Sequence, residues 1–66
     1  MSLFRIGDQV RIDGNTVDLS TPESVFGSVG TISCEYEPRI WRVRMADGKR
    51  WFVHEKDLSL VMAVGL

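Results

Sequence analysis

Apolar and polar residues alternate along short runs of this chain, and turn-forming residues separate the runs. In "QVRID", residues 9–13, Val10 and Ile12 lie between polar neighbours, and "SVGTISCEY", residues 28–36, shows the same alternation. A period of two residues predicts β-strands with one buried face. Gly30 interrupts the second run, and a glycine inside a strand indicates a bulge or a close approach of two backbones.

Residues 14–27 are mostly polar and show neither the two-residue period of a strand nor the period of a helix, which predicts a long loop. The alternating pattern continues after this loop in the second half of the chain. Further strands are predicted at "IWRVRMA" (40–46), "KRWFVH" (49–54) and "LSLVMAV" (58–64). An Asp-Gly pair predicts a hairpin between the first two of them, and "EKDL" (55–58) suits a single helical turn. Five short strands with closely spaced turns indicate one antiparallel all-β domain, a barrel or a sandwich, over residues 1–66.

The stretch "WRVRMADGKRWF", residues 41–52, contains four cationic and three aromatic side chains. Alternation places Trp41 and Val43 on the core side and Arg42 and Arg44 towards solvent. Such a surface can hold phosphates with guanidinium groups and stack flat groups on a ring. The pattern predicts a partner-binding surface formed by Arg42, Arg44, Lys49, Arg50, Trp51 and Phe52. In a second interpretation, the arginine stems cover the exposed ring and a cation–π contact stabilises the hairpin.

The Asp-Gly turn leaves the pairing of the hairpin open. A two-residue turn pairs Arg44 with Trp51, so that the indole lies beside the arginines. A three-residue turn with a bulge at Gly48 pairs Met45 with Lys49 instead. The residues beside the arginines are then Arg50, Phe52 and His54. Both registers predict a basic surface with at least one aromatic ring.

The charged residues are distributed unevenly along the chain. Residues 1–37 carry two arginines against six carboxylates, a net charge of −4, and residues 38–56 carry six cations against two carboxylates, a net charge of +4. This division predicts one basic face, although neighbouring strands can also neutralise each other. Because the whole chain has a net charge of −1, strong non-specific binding to nucleic acid is not expected.

The remaining residues with chemical potential do not form a catalytic or metal-binding pattern. A single cysteine, Cys34, excludes an intramolecular disulfide and a zinc site built from several thiols. Cys34 shares the strand alternation of Ile32 and Tyr36, which predicts a buried, unreactive thiol. His54 has no catalytic partner at a recognisable spacing, and the carboxylates lack metal-loop spacing. We therefore expect no catalytic residue, no cofactor and no metal.

The location of the protein is predicted from two features. A lone cysteine fits a reducing compartment. The N-terminal stretch "MSLFRIGDQV" has no apolar run of signal-peptide length, and no run of about 20 apolar residues occurs in the sequence. We expect a soluble, cytoplasmic protein with no membrane contact.

Three stretches in this order, "FRIGDQVRI", "FGSVGTI" and "WRVRMADGKRWFVHEKDL", resemble the SH3-like small β-barrels, which include KOW-type and Tudor-like modules. Together they cover most of residues 4–61. The resemblance implies a single five-stranded antiparallel barrel with one short helical turn before the last strand. Related barrels bind RNA, methylated lysines or proline-rich peptides, or serve as accessory subunits, so that the fold leaves the function open.

Type II dihydrofolate reductases have a distantly similar barrel and act as tetramers. Their pore is lined by a Val-Gln-Ile-Tyr stretch, and the corresponding "RWFVHE" here lacks the Gln and the Tyr. No catalytic residue is carried over from that family.

These observations predict a non-enzymatic binding or accessory module that contacts another protein through the hairpin and the residue 14–27 loop. The alternatives are a weak RNA- or DNA-binding module that uses the same hairpin, and an oligomeric, reductase-like barrel with a ligand pore. The C-terminal stretch, residues 58–66, has apolar residues on both faces. Such a surplus predicts contact with a partner or a second copy. Docking against the long loop of the same chain is an equally open interpretation.

Overall fold

The computed structural model describes residues 3–61, which form five β-strands and two single turns of 3-10 helix. The strands are β1 (Gln9–Ile12), β2 (Val29–Glu37), β3 (Ile40–Arg44), β4 (Arg50–His54) and β5 (Leu58–Leu60). The 3-10 turns comprise Glu23–Val25, inside the long loop, and Glu55–Asp57, directly before β5. The predicted all-β class and the helical turn before the last strand are confirmed.

The five strands form one antiparallel sheet in the order β4-β3-β2-β1-β5. The long strand β2 pairs with both β1 and β3, and β1 also pairs with β5. No pairing between β4 and β5 occurs within residues 3–61, so the closure of this sheet into a barrel stays a prediction.

One face of the sheet carries the hydrophobic core. The core residues are Phe4, Val10, Ile12, Ile32, Trp41, Val43, Val53 and Leu58. The ring of Phe4 meets that of Trp41 edge to face, with centroids 5.8 Å apart. The alternation predicted in β1 and β3 is confirmed because Val10, Ile12 and Val43 are fully buried while Arg11 and Arg44 are exposed.

Strand β2 departs from simple alternation at two places. Its pairing with β3 shifts between Ile32 and Cys34 and again between Glu35 and Glu37. At such a bulge two residues of one strand oppose a single residue of the other. Cys34 consequently pairs with Arg42 and is only partly buried, so the predicted buried position beside Ile32 is wrong.

Strands β2 and β3 approach closely at Gly30. A Cβ atom built on Gly30 would lie 2.6 Å from Val43 Cγ1, 2.7 Å from Met45 Sδ and 2.9 Å from the Arg44 carbonyl oxygen. The close backbone approach predicted at this glycine is confirmed.

The predicted long loop is internally hydrogen-bonded and attached to the second 3-10 turn. Buried Asn15 donates to the Thr21 hydroxyl at 2.9 Å and accepts from two backbone N–H groups of the loop. The amide and hydroxyl of Thr16 donate to the Asp57 carboxylate at 3.0 and 2.9 Å. These contacts hold the first half of the loop beside the second 3-10 turn, Glu55–Asp57.

The predicted C-terminal strand is confirmed only as far as Leu60. Leu58 is buried, whereas Leu60 is 50% exposed although it pairs with the core residue Val10. The predicted interface through residues 58–66 extends past residue 61, and the positions of Met62, Ala63 and Val64 lie outside the described residues.

Candidate binding face

The β3–β4 hairpin has a three-residue turn. The Met45 amide donates to the Lys49 carbonyl at 2.7 Å, and the Gly48 amide donates to the Met45 carbonyl at 3.0 Å. Gly48 has a φ of +88°, the left-handed conformation that this turn requires. The Asp47 carboxylate accepts from the Lys49 amide at 2.9 Å. Of the two registers left open by the sequence, the structure has the one with a bulge at Gly48.

This register decides which of the predicted site residues share a face. Arg44 pairs with Arg50 and Arg42 pairs with Phe52, so these four side chains lie on the face opposite the core. Trp51 pairs with Val43 on the core face, where it is partly buried against the core. Lys49 also lies on that side, opposite Met45. The structure therefore brings together four of the six predicted residues and places Trp51 and Lys49 on the other face.

The first bulge of β2 adds Tyr36 to the four residues on the outer face, because it puts Cys34 opposite Arg42 and Tyr36 lies two residues further along the strand. Its ring lies 4.4 Å from that of Phe52, centroid to centroid, at an interplanar angle of 46°. Tyr36 is 59% exposed and Phe52 is 37% exposed. We call the surface formed by Arg42, Arg44, Arg50, Phe52 and Tyr36 the basic face. Alternation alone places Tyr36 on the side of Ile32, so this contact could not be predicted from the strand pattern.

Within residues 3–61, the arginines of the basic face form no ion pair with a carboxylate. The ion pair found within residues 3–61 joins Arg11 Nε to Asp13 Oδ1 at 2.6 Å, at the end of β1. No carboxylate oxygen in this range lies within 4.0 Å of a guanidinium nitrogen of the three arginines of the basic face. The Arg42 guanidinium instead donates to the neutral Ser33 hydroxyl at 2.9 and 3.2 Å. In this described part, the ring of Phe52 contacts Tyr36 rather than a cation. In the part of the chain that the structure describes, these arginines take part neither in an ion pair across the strands nor in a cation–π contact.

A shallow groove adjoins the basic face at the point where β2 and β3 separate. It has a volume of about 370 Å³, and Gln9, Thr31 and Arg44 lie along one side of it. The pairing places these three residues in one row across the sheet, which continues to Arg50 on β4. The apolar part of the groove consists of Val29, Gly30, Met45 and Ala46. A second hollow of about 240 Å³ shares Val29, Met45 and Ala46 and leads to Ser28 and Asp47.

His54 makes a structural contact at the end of β4. Its Nδ1 accepts a hydrogen bond from the Lys56 amide at 3.0 Å and caps the second 3-10 turn. An imidazole that accepts from a backbone amide at the start of such a turn stabilises the turn.

Two aspartates away from the basic face have perturbed acidity. A hydrogen bond from the Ser59 hydroxyl, together with the Arg11 guanidinium, lowers the pKa of Asp13. Hydrogen bonds from the Ser20 hydroxyl and amide lower the pKa of Asp18. Both shifts favour the ionised carboxylate, as expected for surface groups that accept hydrogen bonds.

Comparisons of the chain with protein-family models, with curated proteins and with solved structures gave no match. The likeness to SH3-like barrels therefore rests on the quoted stretches and on the five-stranded antiparallel sheet. No helix among residues 3–61 is long and apolar enough to cross a membrane.

Proposed function

We propose that this protein is a non-enzymatic binding module whose basic face binds an acidic segment of another protein. The observation that carries the proposal is that three arginines, for which no carboxylate partner occurs among residues 3–61, share one face with two exposed, touching aromatic rings. Arginine and tyrosine are enriched among residues that dominate the energy of protein interfaces. The guanidinium group matches a carboxylate with two parallel hydrogen bonds.

The pairing of Arg44 with Arg50 gives a physical reason for anion binding. Like charges directly opposite each other on antiparallel strands destabilise a sheet by about 0.2–1 kcal/mol. A carboxylate bound between the two guanidinium groups would remove this repulsion and gain charge-assisted hydrogen bonds. The cost is present in the free protein, and binding relieves it.

The closely related alternative is a weak nucleic-acid contact through the same face. Three arginines neutralise about three phosphates, which corresponds to a slope of about −2 in log affinity against log salt for a single strand. With a chain charge of −1, such binding is weak and is lost at moderate salt. The oligomeric, reductase-like barrel stays a prediction without further support.

The experiment is an NMR titration of the ¹⁵N-labelled protein at low salt with two probes, an acetylated and amidated hexaglutamate and a thymidine decanucleotide. We expect hexaglutamate to shift the amide signals of β3 and β4. Arg44→Glu should weaken this binding about tenfold or more, because a charged hydrogen bond is replaced by repulsion.

The matched control is Lys49→Glu, which makes the same change in net charge on the same hairpin but on its opposite face. It should weaken hexaglutamate binding much less than Arg44→Glu does. Equal effects of the two variants, or no binding of hexaglutamate, would overturn the proposal. Tighter binding of the oligonucleotide, with the same dependence on Arg44, would replace it by the nucleic-acid alternative.

A further inference from the structure

We infer that the groove between β2 and the hairpin tip holds a short extended segment of the acidic partner, with a carboxylate side chain at Arg44 and an apolar side chain over Val29 and Met45. This inference rests on the proposed function and specifies which part of the partner is recognised.

The groove exists because two strands part. The last pair of β2 with β3 in this direction is Thr31 with Arg44, and beyond it β3 ends while the hairpin turns away. The two adjoining hollows share Val29, Met45 and Ala46, so they form one continuous depression. It runs from the outer row of the sheet to the end of the long loop at Ser28. No residue of the predicted 14–27 loop lines either hollow, so a surface shared by that loop and the hairpin stays a prediction.

The middle of the groove favours an apolar side chain. Val29 is 44% exposed at the start of β2, and Met45 is partly buried. Gly30 lacks the side chain that would push the Met45 thioether and the Arg44 carbonyl out of place. Methionine adapts its shape to different apolar partners, which suits a shallow surface of this kind. A free inorganic anion would leave this apolar area uncovered.

The two ends of the groove differ in charge. At one end, Arg44 stands in a row with the Thr31 hydroxyl and the Gln9 amide, and both neighbours can donate hydrogen bonds to a carboxylate. At the other end lies the Asp47 carboxylate. A bound segment is therefore oriented, with its acidic residue at the Arg44 end and a neutral or basic residue at the Asp47 end.

The test uses an acetylated and amidated pentapeptide, Ser-Glu-Val-Leu-Lys, and its Ser-Gln-Val-Leu-Lys counterpart, titrated into the wild-type protein. We expect the glutamate peptide to bind at least about fivefold more tightly than the glutamine peptide, since only the glutamate peptide places a negative charge at the Arg44 guanidinium group. An intermolecular nuclear Overhauser effect should join the peptide valine methyls to the Met45 methyl group.

Val29→Ser removes the apolar wall of the groove without changing charge, and Val17→Ser is its matched control. Val17 has nearly the same exposure, 42%, and lies in the long loop away from the groove. Val29→Ser should weaken binding of the glutamate peptide about fivefold, and Val17→Ser should leave it within about twofold. Neither variant should change hexaglutamate binding.

The outcomes separate the two proposals. Hexaglutamate binding that depends on Arg44, together with equal peptide affinities for Val29→Ser and the wild type, would overturn the groove inference and leave the proposed function intact. The absence of the Met45 methyl contact in the wild-type complex would also overturn it, and this measurement does not depend on how well a variant folds. Failure of both probes would remove both proposals.

Discussion

Replacing Gly30 by alanine is expected to destabilise the protein markedly. The new methyl group would lie 2.6 Å from Val43 Cγ1 and 2.9 Å from the Arg44 carbonyl oxygen, well inside normal contact distances. Met45 Sδ, at 2.7 Å, belongs to a flexible side chain that can move aside. Val43 is fully buried and β-branched, and the carbonyl belongs to the backbone of β3, so neither can yield without a shift of the strand.

The size of the effect follows from two opposing contributions. Overpacking of a core by one methyl group costs about 1–3 kcal/mol. Alanine restricts the unfolded chain more than glycine does, which returns about 0.4–1 kcal/mol. We therefore expect the free energy of unfolding to fall by about 1–2 kcal/mol for Gly30→Ala. In a domain of this size, that loss lowers the Tm by about 5–15 °C.

Thermal and urea denaturation followed by circular dichroism measure this change. The matched control is Gly14→Ala, because the nearest atom to a Cβ at Gly14 is Asp57 Oδ1 at 3.7 Å, an ordinary contact distance. Its Tm should equal or exceed that of the wild type. A Tm of Gly30→Ala within about 2 °C of the wild-type value would refute the close approach of β2 and β3, since the expected loss of stability corresponds to a larger change in Tm.

Three further predictions concern the turns and the surface network. Arg39 has a φ of 69°, so Arg39→Gly should raise the free energy of unfolding by about 1 kcal/mol in urea denaturation, and a loss of stability would contradict the left-handed conformation. Thr16→Val removes the hydroxyl that donates to Asp57 and should lower the free energy of unfolding by about 0.5–1.5 kcal/mol in urea denaturation. Unchanged stability would show that this hydrogen bond does not hold the loop. The pKa of Asp13 lies below the ordinary 3.8, so its ionised form adds stability at neutral pH that is lost as the pH falls below that value. Ser59→Ala should raise the pKa of Asp13 in an NMR titration, and an unchanged pKa would rule out the hydroxyl as its main cause.

The hairpin register can be predicted from the sequence by comparing which apolar side chains of β4 each register would bury. In a two-residue turn, a shift of one position would have placed Val53 on the solvent side and His54 opposite Trp41 in the core. In the observed register, Val53 pairs with Trp41 and is fully buried, while Trp51 packs against the core beside Val43. A one-residue slip moves every side chain to the other face, so the apolar content of the two faces decides the pairing. The Asp-Gly motif alone fits both turns.

The bulges of β2 could not have been predicted in this way. The alternation of Ile32, Cys34 and Tyr36 is regular, and an extra residue in a strand becomes visible only when its partner strand is known. The order and approximate positions of the five strands, by contrast, follow from local periodicity, although β3 ends at Arg44 and β5 is described only as far as Leu60. The sequence therefore located the arginines of the basic face but missed the ring that stands beside Phe52.

Packing of the core and the shape of the groove depend on the same position. Without a side chain at Gly30, the Met45 side chain and the Arg44 carbonyl can approach β2, and Met45 packs against the core. Met45 also lines the apolar part of the groove, and Arg44 forms its charged end. A larger residue at this position would displace both at once. The requirement for glycine at residue 30 therefore comes from the stability of the sheet and, if the groove is occupied as proposed, from recognition of the partner as well.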